Sequence, residues 1–556
     1  MSKLTTFDYI VFTLYFIIIV VYGIYIFRKK KSEKVDSKDY FLAEGSLTWW
    51  AIGASLIASN ISAEQFIGMS GSGFSMGLAI ATYEWMAAFT LIIVAVFFIP
   101  VYLKNKIYTM PQYLHKRYNE KVALIMSVFW LMLYVIVNLT SILYLGALAL
   151  NSISGFNLAL CMGFLALFAV MITLGGMKVI GYTDVIQVFF LIVGGLVTTY
   201  LAVTLVSSEF GFSGFGKGLA LMKEHADEHF HMIFRKTDPH YLDLPGISVL
   251  IGGMVIVNLN YWGCNQYITQ RALGADLKTA RTGILFAAFL KLLMPVIVVL
   301  PGIAAYVLYQ KGLFQQEMIQ DGSLNPDRAY PTLLNLLPSG LKGLSFAALT
   351  AAIVASLAGK ANSIATIFTL DIYKQYIRKD SSEKNLVKIG KIAVVTSFII
   401  AIIVSPFLGI DKKGGFQYIQ EYTGFVSPGV FAMFILGFFW KKTTSNAALF
   451  ATIGGFIFSV ILKFLPMIAD LSFLNLIGFA VPNANGIYEI PFIDRMAVVF
   501  IMCVLGMIFI SLKETRKGLQ VNSLEVDISM FKTNRSFTIG SIIIITVLVV
   551  LYTVFW

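Results

Sequence analysis

The chain has 556 residues, of which 58% are hydrophobic and 13% charged, and its formal net charge at pH 7 is +12. With a mean hydropathy of +0.80, this composition excludes a soluble globular domain and a disordered chain. The basic residues stand in short segments between apolar runs, which indicates membrane topology and not nucleic-acid binding. The composition therefore predicts an all-α polytopic membrane protein whose surroundings are the lipid bilayer.

The apolar runs, taken in chain order, predict about fourteen transmembrane helices, since each span needs about 20 apolar residues. We expect them at 7–27, 47–73, 77–102, 121–151, 156–174, 179–207, 246–269, 280–310, 340–373, 387–408, 418–440, 446–465, 492–512 and 536–555. The first run is longer than a signal-peptide core, and its basic cluster follows it. We therefore expect a retained helix there and not a cleaved signal.

The basic residues also predict the orientation. Most of them fall on one side of the predicted spans, in the segments 28–38, 104–121, 271–281, 374–391 and 513–535. Because basic loops stay on the cytoplasmic side, both termini are predicted to lie outside a plasma (inner) membrane.

Histidine and cysteine give no sign of a metal site. His225, His229 and His231 stand in an outer loop, 208–245, and only the first two have helical spacing. The three cysteines lie singly within apolar runs, so we expect neither a disulfide nor a metal centre. A second long outer loop is 311–339, and we expect short surface helices or lids in both of these loops.

The stretch 58–84 interrupts the apolar pattern most strongly. An apolar run of half a helix, 47–57, is followed by Ser59, Asn60, Ser62, Glu64 and Gln65. Unpaired polar groups are costly at this depth in a membrane. A helix broken in this way is typical of a transporter binding site.

A second interruption occurs in the run 246–268, which contains the segment VNLNYWGCNQY. The two breaks open corresponding blocks of five spans, 47–207 and 246–440, with the helix 7–27 before them and the segment 446–556, with three helices, after them. Interruptions at matching positions in two halves indicate an inverted-repeat secondary transporter whose site lies near the membrane midplane.

Further polar groups lie within predicted spans. Glu84 and Lys291 are in the third and eighth spans, and Gln417, Gln420 and Glu421 open the eleventh. Ionisable groups inside a membrane are functional candidates. Aromatic residues accompany these groups: Tyr83, Tyr261, Trp262 and Phe416. Amides and charges beside aromatic rings suit a sugar, which offers hydroxyls to hydrogen-bond and an apolar ring face to stack.

Several motifs resemble one known family. DYFLAEGSLTWWAIGASLIASNISAEQFIGMSGSG, YEWM, TDVIQVFF, YWGCNQY, VVLPGIAAYV, NSIATIFTLDIYKQY and FQYIQEYTGFVSPG are similar to the sodium/solute symporter family, and in particular to its bacterial sodium/sugar cotransporters. The similarity runs from about residue 38 to the C-terminus. It implies a leucine-transporter-type fold of five plus five helices in an inverted repeat, with one helix before and three after.

The resemblance also implies a sugar site. The family's sugar ligands fall on Asn60, Gln65, Glu84, Asn258, Lys291 and Gln420. Its outer gate falls on Met69, Tyr83 and Phe416, and its inner gate on Tyr261. One ligand differs, because the family's serine three residues beyond the carboxylate is Ala87 here. The resemblance therefore implies a hexose similar to galactose or glucose, without specifying which of them.

For sodium, the resemblance implies the carbonyls of Ala58, Ile61 and Ala352 and the hydroxyl of Ser356, with Asp184 on the route inward. Carbonyls of a broken helix and a hydroxyl suit a hard cation. The first of the family's two adjacent serines is Ala355 in this chain.

Lys360 complicates the sodium assignment. It stands four residues beyond Ser356 on the same helical face, and helical side chains lean towards the N-terminus. An ammonium about 4 Å from sodium would repel it by about 4 kcal/mol at an effective dielectric of about 20, roughly a thousandfold in affinity. Alternatively, Lys360 turns into an inner cavity or pairs with Asp184, and sodium keeps its place.

The sequence thus predicts a sodium-coupled hexose symporter that works by alternating access, with sodium as coupling ion and no enzymatic cofactor. One alternative is a sodium-independent or proton-coupled sugar transporter in which Lys360 acts as a tethered cation. Another is a membrane sugar sensor that kept the transporter fold. No channel filter and no catalytic arrangement stands out, so neither a channel nor an enzyme is expected.

Overall fold

The structure is a computed structural model that describes residues 4–29, 40–41, 47–320, 322–407, 415–476 and 478–556. Regular structure in these residues is almost entirely helical. The exceptions are two antiparallel pairs of two-residue strands, Ile319–Gln320 with Ser323–Leu324 and Val481–Pro482 with Tyr488–Glu489. Both pairs lie in loops, so the predicted all-α class is confirmed.

Within the described residues, 10 helical stretches are long and apolar enough to cross a membrane, and three shorter apolar helices accompany them, Leu158–Thr173, Ser248–Cys264 and Ser427–Phe439. The predicted number of fourteen is not confirmed. The predicted spans 47–73 and 77–102 are each divided into shorter helical segments. Trp49–Asn60 has 12 residues, and the helical stretch Glu64–Lys104, of 41 residues, is interrupted at Gly77, where φ is +71° and ψ is −147°.

The chain divides into two compact units, each assembled from three stretches. The first unit is Met1–Ala81, Ser127–His231 and Gln270–Tyr418, and the second is Thr82–Met126, Met232–Thr269 and Ile419–Trp556. The contiguous repeats expected at 47–207 and 246–440, with 7–27 before and 446–556 after, remain a prediction.

The first unit consists of helices of three kinds. Its α-helices are Thr6–Lys29, Trp49–Asn60, Ser70–Met76, Thr140–Ser154, Leu158–Thr173, Met177–Glu209, Phe215–His225, Leu277–Gln310, Ala329–Leu334, Leu341–Thr366 and Glu383–Val404. Its π-helical segments are Glu64–Met69, Leu133–Leu139 and Ile367–Ile377, and its 3₁₀ turns are Gly77–Ala81, Asp227–Phe230, Pro326–Arg328 and Ser405–Phe407.

The second unit is also helical. Its α-helices are Thr82–Ile93, Ile99–Lys104, Met110–Arg117, Ser248–Ile251, Gly253–Cys264, Ser427–Phe439, Ser445–Leu449, Gly455–Phe464, Phe492–Arg516 and Arg535–Val554. Val94–Phe98 and Phe450–Gly454 are π-helical, and Leu465–Met467, Ser472–Asn475 and Ile528–Phe531 are 3₁₀ turns. Three helices contain residues of both units, Glu120–Met132, Gln266–Leu273 and Gly415–Gly424.

Both predicted helix breaks are present. Trp49–Asn60 ends because Ile61 is extended, with φ −78° and ψ 116°, and helical structure resumes at Glu64. Gly253–Cys264 ends because Asn265 is extended, with φ −102° and ψ 121°, and the helix Gln266–Leu273 follows. Each break frees backbone groups that a continuous helix would satisfy internally.

The helix Leu341–Thr366 forms the core of the first unit. Nearly all its residues are buried, and it packs on Met177–Glu209, Thr6–Lys29, Leu158–Thr173 and Trp49–Asn60. Small residues also bring Trp49–Asn60 close to Leu277–Gln310. A Cβ atom on Gly53 would lie 2.7 Å from the carbonyl oxygen of Gly283, so this helix crossing requires glycine. The first break is thereby fixed between long helices.

Candidate functional site

Gln65 holds the first break open. Its Oε1 accepts hydrogen bonds from the Ser62 amide, at 2.9 Å, and from the Ser62 hydroxyl, at 3.3 Å. In a continuous helix the Ser62 amide would instead donate to the carbonyl of Ala58. Within the described part of the chain, that carbonyl therefore has no helical donor, as a cation ligand requires.

The predicted sodium residues all belong to the first unit. The Ser356 hydroxyl donates to the carbonyl of Ser59 at 3.1 Å, which joins Leu341–Thr366 to the end of Trp49–Asn60. The carbonyl-bearing residues Ala58, Ile61 and Ala352 are buried there. Carbonyl and hydroxyl oxygens at a helix break are suitable ligands for sodium. The donor set therefore fits the ion, and its binding there stays a prediction.

Lys360 does not turn back to Ser356 for a hydrogen bond. Its ammonium donates to Asn138 Oδ1 at 3.4 Å and interacts electrostatically with the carboxylate of Glu64. Lys360 is 3% exposed, so these contacts replace water around the charge. Asn138 lies in the π-helical segment Leu133–Leu139, and Glu64 opens the helix after the first break.

Asp184 has a different basic partner. Ser55 donates to Asp184 Oδ2 at 2.6 Å and accepts from Arg271 Nε at 2.9 Å, and the guanidinium attracts the carboxylate electrostatically. All three residues are at most 1% exposed. The expectation that Arg271 belongs to a basic inner loop is therefore wrong, because the residue lies buried in the helix Gln266–Leu273.

Ser55, Asn138 and Arg271 were not among the functional residues predicted from the sequence. The signal for the first two was present, since each is a polar side chain inside a predicted apolar span, and such residues seek partners within the bundle. Arg271 had no such signal. Its neighbours in sequence, Gln270 and Ala272, do not distinguish a buried helix end from a loop.

Two of the predicted sugar ligands are joined directly in the first unit. The ammonium of Lys291 donates a hydrogen bond to Asn60 Oδ1. Lys291 is 1% exposed although it lies in the middle of Leu277–Gln310. The contact orients the amide of Asn60 at the last helical position before the break. Gln65, the third predicted ligand in this unit, uses its carbonyl on Ser62.

The other three predicted sugar ligands belong to the second unit. Glu84 is buried in Thr82–Ile93, Asn258 is buried in Gly253–Cys264, and Gln420 is partly buried. The amide nitrogen of Asn258 donates to the Met254 carbonyl of its own helix at 3.0 Å. The Oδ1 atom of Asn258 therefore faces away from that bond. The role of Glu84, Asn258 and Gln420 in sugar binding stays a prediction.

The predicted gate residues are divided between the units. Met69 and Phe416 are buried in the first, where a Cβ on Gly68 would lie 2.8 Å from the backbone nitrogen of Phe416. In the second, Tyr83 is buried and the hydroxyl of Tyr261 accepts a hydrogen bond from Tyr267. The ring of Tyr261 is thereby held beside the second break.

Glu421 lies in a cluster of charges within the second unit. Its Oε1 accepts from Arg495 Nη2 at 2.8 Å and from the ammonium of Lys463. Two cations thus neutralise one carboxylate. This arrangement favours a structural role for Glu421 over the functional one that its depth alone suggested.

The loop histidines serve as packing residues where the structure describes them. His229 stacks on Tyr306 at 3.9 Å and bonds to the Phe74 carbonyl, while His225 stacks on Phe210. In the described residues, no group of three or more His, Cys, Asp or Glu side chains is arranged to hold a metal ion. The three cysteines are free thiols.

Comparison with known proteins agrees with this architecture. A family model described as the sodium:solute symporter family matches residues 40–455. The chain is 48% identical to the sodium/glucose cotransporter of Vibrio parahaemolyticus, covering 99% of this chain and 98% of that protein. It is 35% identical to the human sodium/myo-inositol cotransporter 2, covering 82% and 69%.

A solved structure has the same fold. A Na⁺-coupled sialic acid symporter, in a substrate-bound outward-open state, superposes with a TM-score of 0.76 at 20% identity, covering 94% of this chain and 100% of that one. At this identity the likeness shows the fold alone. The family model and the relatives confirm the assignment that the motifs suggested. The chain belongs to the sodium:solute symporter family.

Proposed function

We propose that the protein couples the entry of sodium to the uptake of a hexose by alternating access. The observation that carries the proposal is the 48% identity, along nearly the whole chain, to a protein named as a sodium/glucose cotransporter. The buried carbonyl and hydroxyl oxygens at the first break support the proposal that sodium binds there. Such oxygens can ligate a hard cation without a cluster of carboxylates.

Sodium would bind first, between the carbonyls of Ala58 and Ile61 and the helix that carries Ala352 and Ser356. The contact between Ser356 and Ser59 supports this step, since it already places that helix at the break. A cation bridging the two elements stabilises the conformation in which both contribute ligands. Sodium binding thereby favours the outward-open state.

The sugar would then bind to Asn60, Gln65, Glu84, Asn258, Lys291 and Gln420. The hydrogen bond from Lys291 to Asn60 supports this assignment, because it presents an ammonium and an amide to the same ligand. Met69, Tyr83 and Phe416 would close over the sugar, and Tyr261 would open below it. Sodium would leave past Asp184.

The driving force is sufficient for accumulation. One sodium ion moving across 100 mV provides about 2.3 kcal/mol before its concentration gradient is added. That free energy corresponds to a concentration ratio of about fiftyfold for a sugar. We further propose that the protein lies in the plasma (inner) membrane with both termini outside, as the distribution of basic residues indicates.

Uptake by purified protein in proteoliposomes tests the function. Labelled glucose should accumulate when sodium is outside and should only equilibrate when potassium replaces it. Competition by unlabelled galactose and myo-inositol identifies the preferred ring. Equal glucose accumulation with either cation would contradict symport, and glucose binding without any flux would favour the sensor. Protease access to tags at the two termini tests the orientation.

A further inference from the structure

Three polar side chains of the first unit, outside the predicted ligand sets, are linked by a hydrogen bond or by electrostatic attraction. Lys360 donates to Asn138 at 3.4 Å and interacts electrostatically with Glu64. Glu64 Oε1 is buried, and among the residues that the structure describes it has no hydrogen-bond donor. These residues come from three different elements, the helix Leu341–Thr366 and the π-helical segments Leu133–Leu139 and Glu64–Met69.

The position of this cluster relates it to the sodium ligands. Lys360 is one helical turn beyond Ser356, and the Cβ atoms of residues with this spacing lie about 5–6 Å apart. Glu64 is three residues beyond Ile61, on the other side of the break. A positive and a negative charge therefore flank the oxygen groups that are proposed to hold the ion.

We propose that Lys360 and Glu64 set the sodium affinity of this site as opposing fixed charges, with Asn138 holding the ammonium in place. The inference deepens the proposed function and rests on it. Lys360 raises the electrostatic potential at Ala58, Ile61 and Ser356, and the carboxylate of Glu64 lowers it. Sodium can bind in the presence of a buried lysine because the two effects largely cancel.

The size of each effect follows from Coulomb's law. A unit charge about 6 Å from the ion changes its affinity about a hundredfold at an effective dielectric of about 20. Removing Lys360 alone should tighten sodium binding, and removing Glu64 alone should weaken it. Removing both should restore nearly the original affinity, because no net charge is then lost.

The test is a charge cycle in proteoliposomes, with sodium titrated at constant ionic strength. The sodium concentration for half-maximal glucose uptake should fall at least about tenfold in Lys360→Met and rise at least about tenfold in Glu64→Gln. The double variant should return to within about threefold of the wild type. Lys360→Arg, which keeps the charge, should also stay near the wild type.

Lys342→Met is the matched control. It removes a buried lysine from the same helix, 18 residues and about 27 Å away, and should leave the sodium requirement unchanged. The glucose concentration for half-maximal uptake at saturating sodium should be unchanged in Lys360→Met, since a merely structural defect would alter both. If a variant does not transport, the sodium dependence of its thermal unfolding in detergent gives the affinity.

The outcomes separate this inference from the function. Sodium-dependent wild-type uptake with the same sodium requirement in all variants would overturn the charge balance and leave the symporter intact. A tighter sodium requirement in Glu64→Gln would also overturn it. Sodium dependence that appears only in Lys360→Met would contradict sodium coupling in the wild type and support the role of Lys360 as a tethered cation.

Discussion

The hydroxyl of Ser356 donates a 3.1 Å hydrogen bond to the carbonyl of Ser59, a residue 297 positions earlier in the chain. It thereby joins the long, almost fully buried helix Leu341–Thr366 to the last turn before a helix break. Both partners are 0% exposed. A small cation at this point would be bound by both elements at once, which is the arrangement that coupled transport needs.

Ser356→Ala should weaken sodium binding. The change removes a proposed ligand, so the sodium concentration for half-maximal uptake should rise about tenfold or more, corresponding to about 1.4 kcal/mol. Ser363→Ala is the control on the same helix, because Ser363 is also buried and donates to Gln270 at 2.9 Å. Both variants should lose about 1 kcal/mol of stability, but an equal shift in sodium requirement would contradict the assignment.

Lys291→Met should weaken sugar binding and not sodium binding. The substitution keeps an unbranched side chain but leaves Asn60 without its charged donor, and a charge-assisted hydrogen bond is worth about 1.5–3 kcal/mol. The glucose concentration for half-maximal uptake should therefore rise at least about tenfold. Lys278→Met, at the exposed start of the same helix, should behave like the wild type. A raised sodium requirement with normal glucose affinity would exclude Lys291 from the sugar site.

Arg271 and Asp184 should be coupled in stability. Each single change, Arg271→Met or Asp184→Asn, leaves a buried charge without its partner and should destabilise the protein by about 3–5 kcal/mol. The double variant should be less destabilised than the sum of the two. Thermal unfolding of the purified protein measures this difference. If the destabilisation of the double variant equalled the sum of the two single variants, Arg271 and Asp184 would not be energetically coupled through Ser55.

Substitutions at the neighbouring residues Gln420 and Glu421 should have different effects, one on glucose affinity and the other on protein stability. Glu421→Gln weakens the contacts to Lys463 and Arg495 and leaves two partly buried cations underneutralised, so the unfolding temperature should fall while glucose affinity is retained. Gln420→Ala should instead reduce glucose affinity about tenfold with little loss of stability. Uptake titrations and thermal unfolding of both variants check the contrast, and loss of glucose affinity in Glu421→Gln would return that residue to the binding site.

Much of the architecture was accessible from sequence. Apolar runs predicted the helices, and clusters such as Ser59, Asn60 and Ser62 predicted the positions of both breaks, because polar groups inside a bilayer require a structural reason. The number of spans was less accessible. The helix Ser70–Met76 ends at Gly77, which has φ +71°, and only the short turn Gly77–Ala81 precedes Thr82–Ile93. Composition does not reveal whether such a short interruption ends a membrane span.

The partners of the buried charges were decided only by the tertiary structure. Sequence placed Lys360, Asp184 and Glu421 within the membrane, since an ionisable residue inside an apolar run has a defined depth. From the sequence, Asp184 was one predicted partner of Lys360. In the structure Asp184 interacts with Arg271 instead, and Lys360 interacts with Asn138 and Glu64. Depth follows from local composition, but a contact depends on how helices distant in sequence are rotated and packed, and that packing decides which charges neutralise one another.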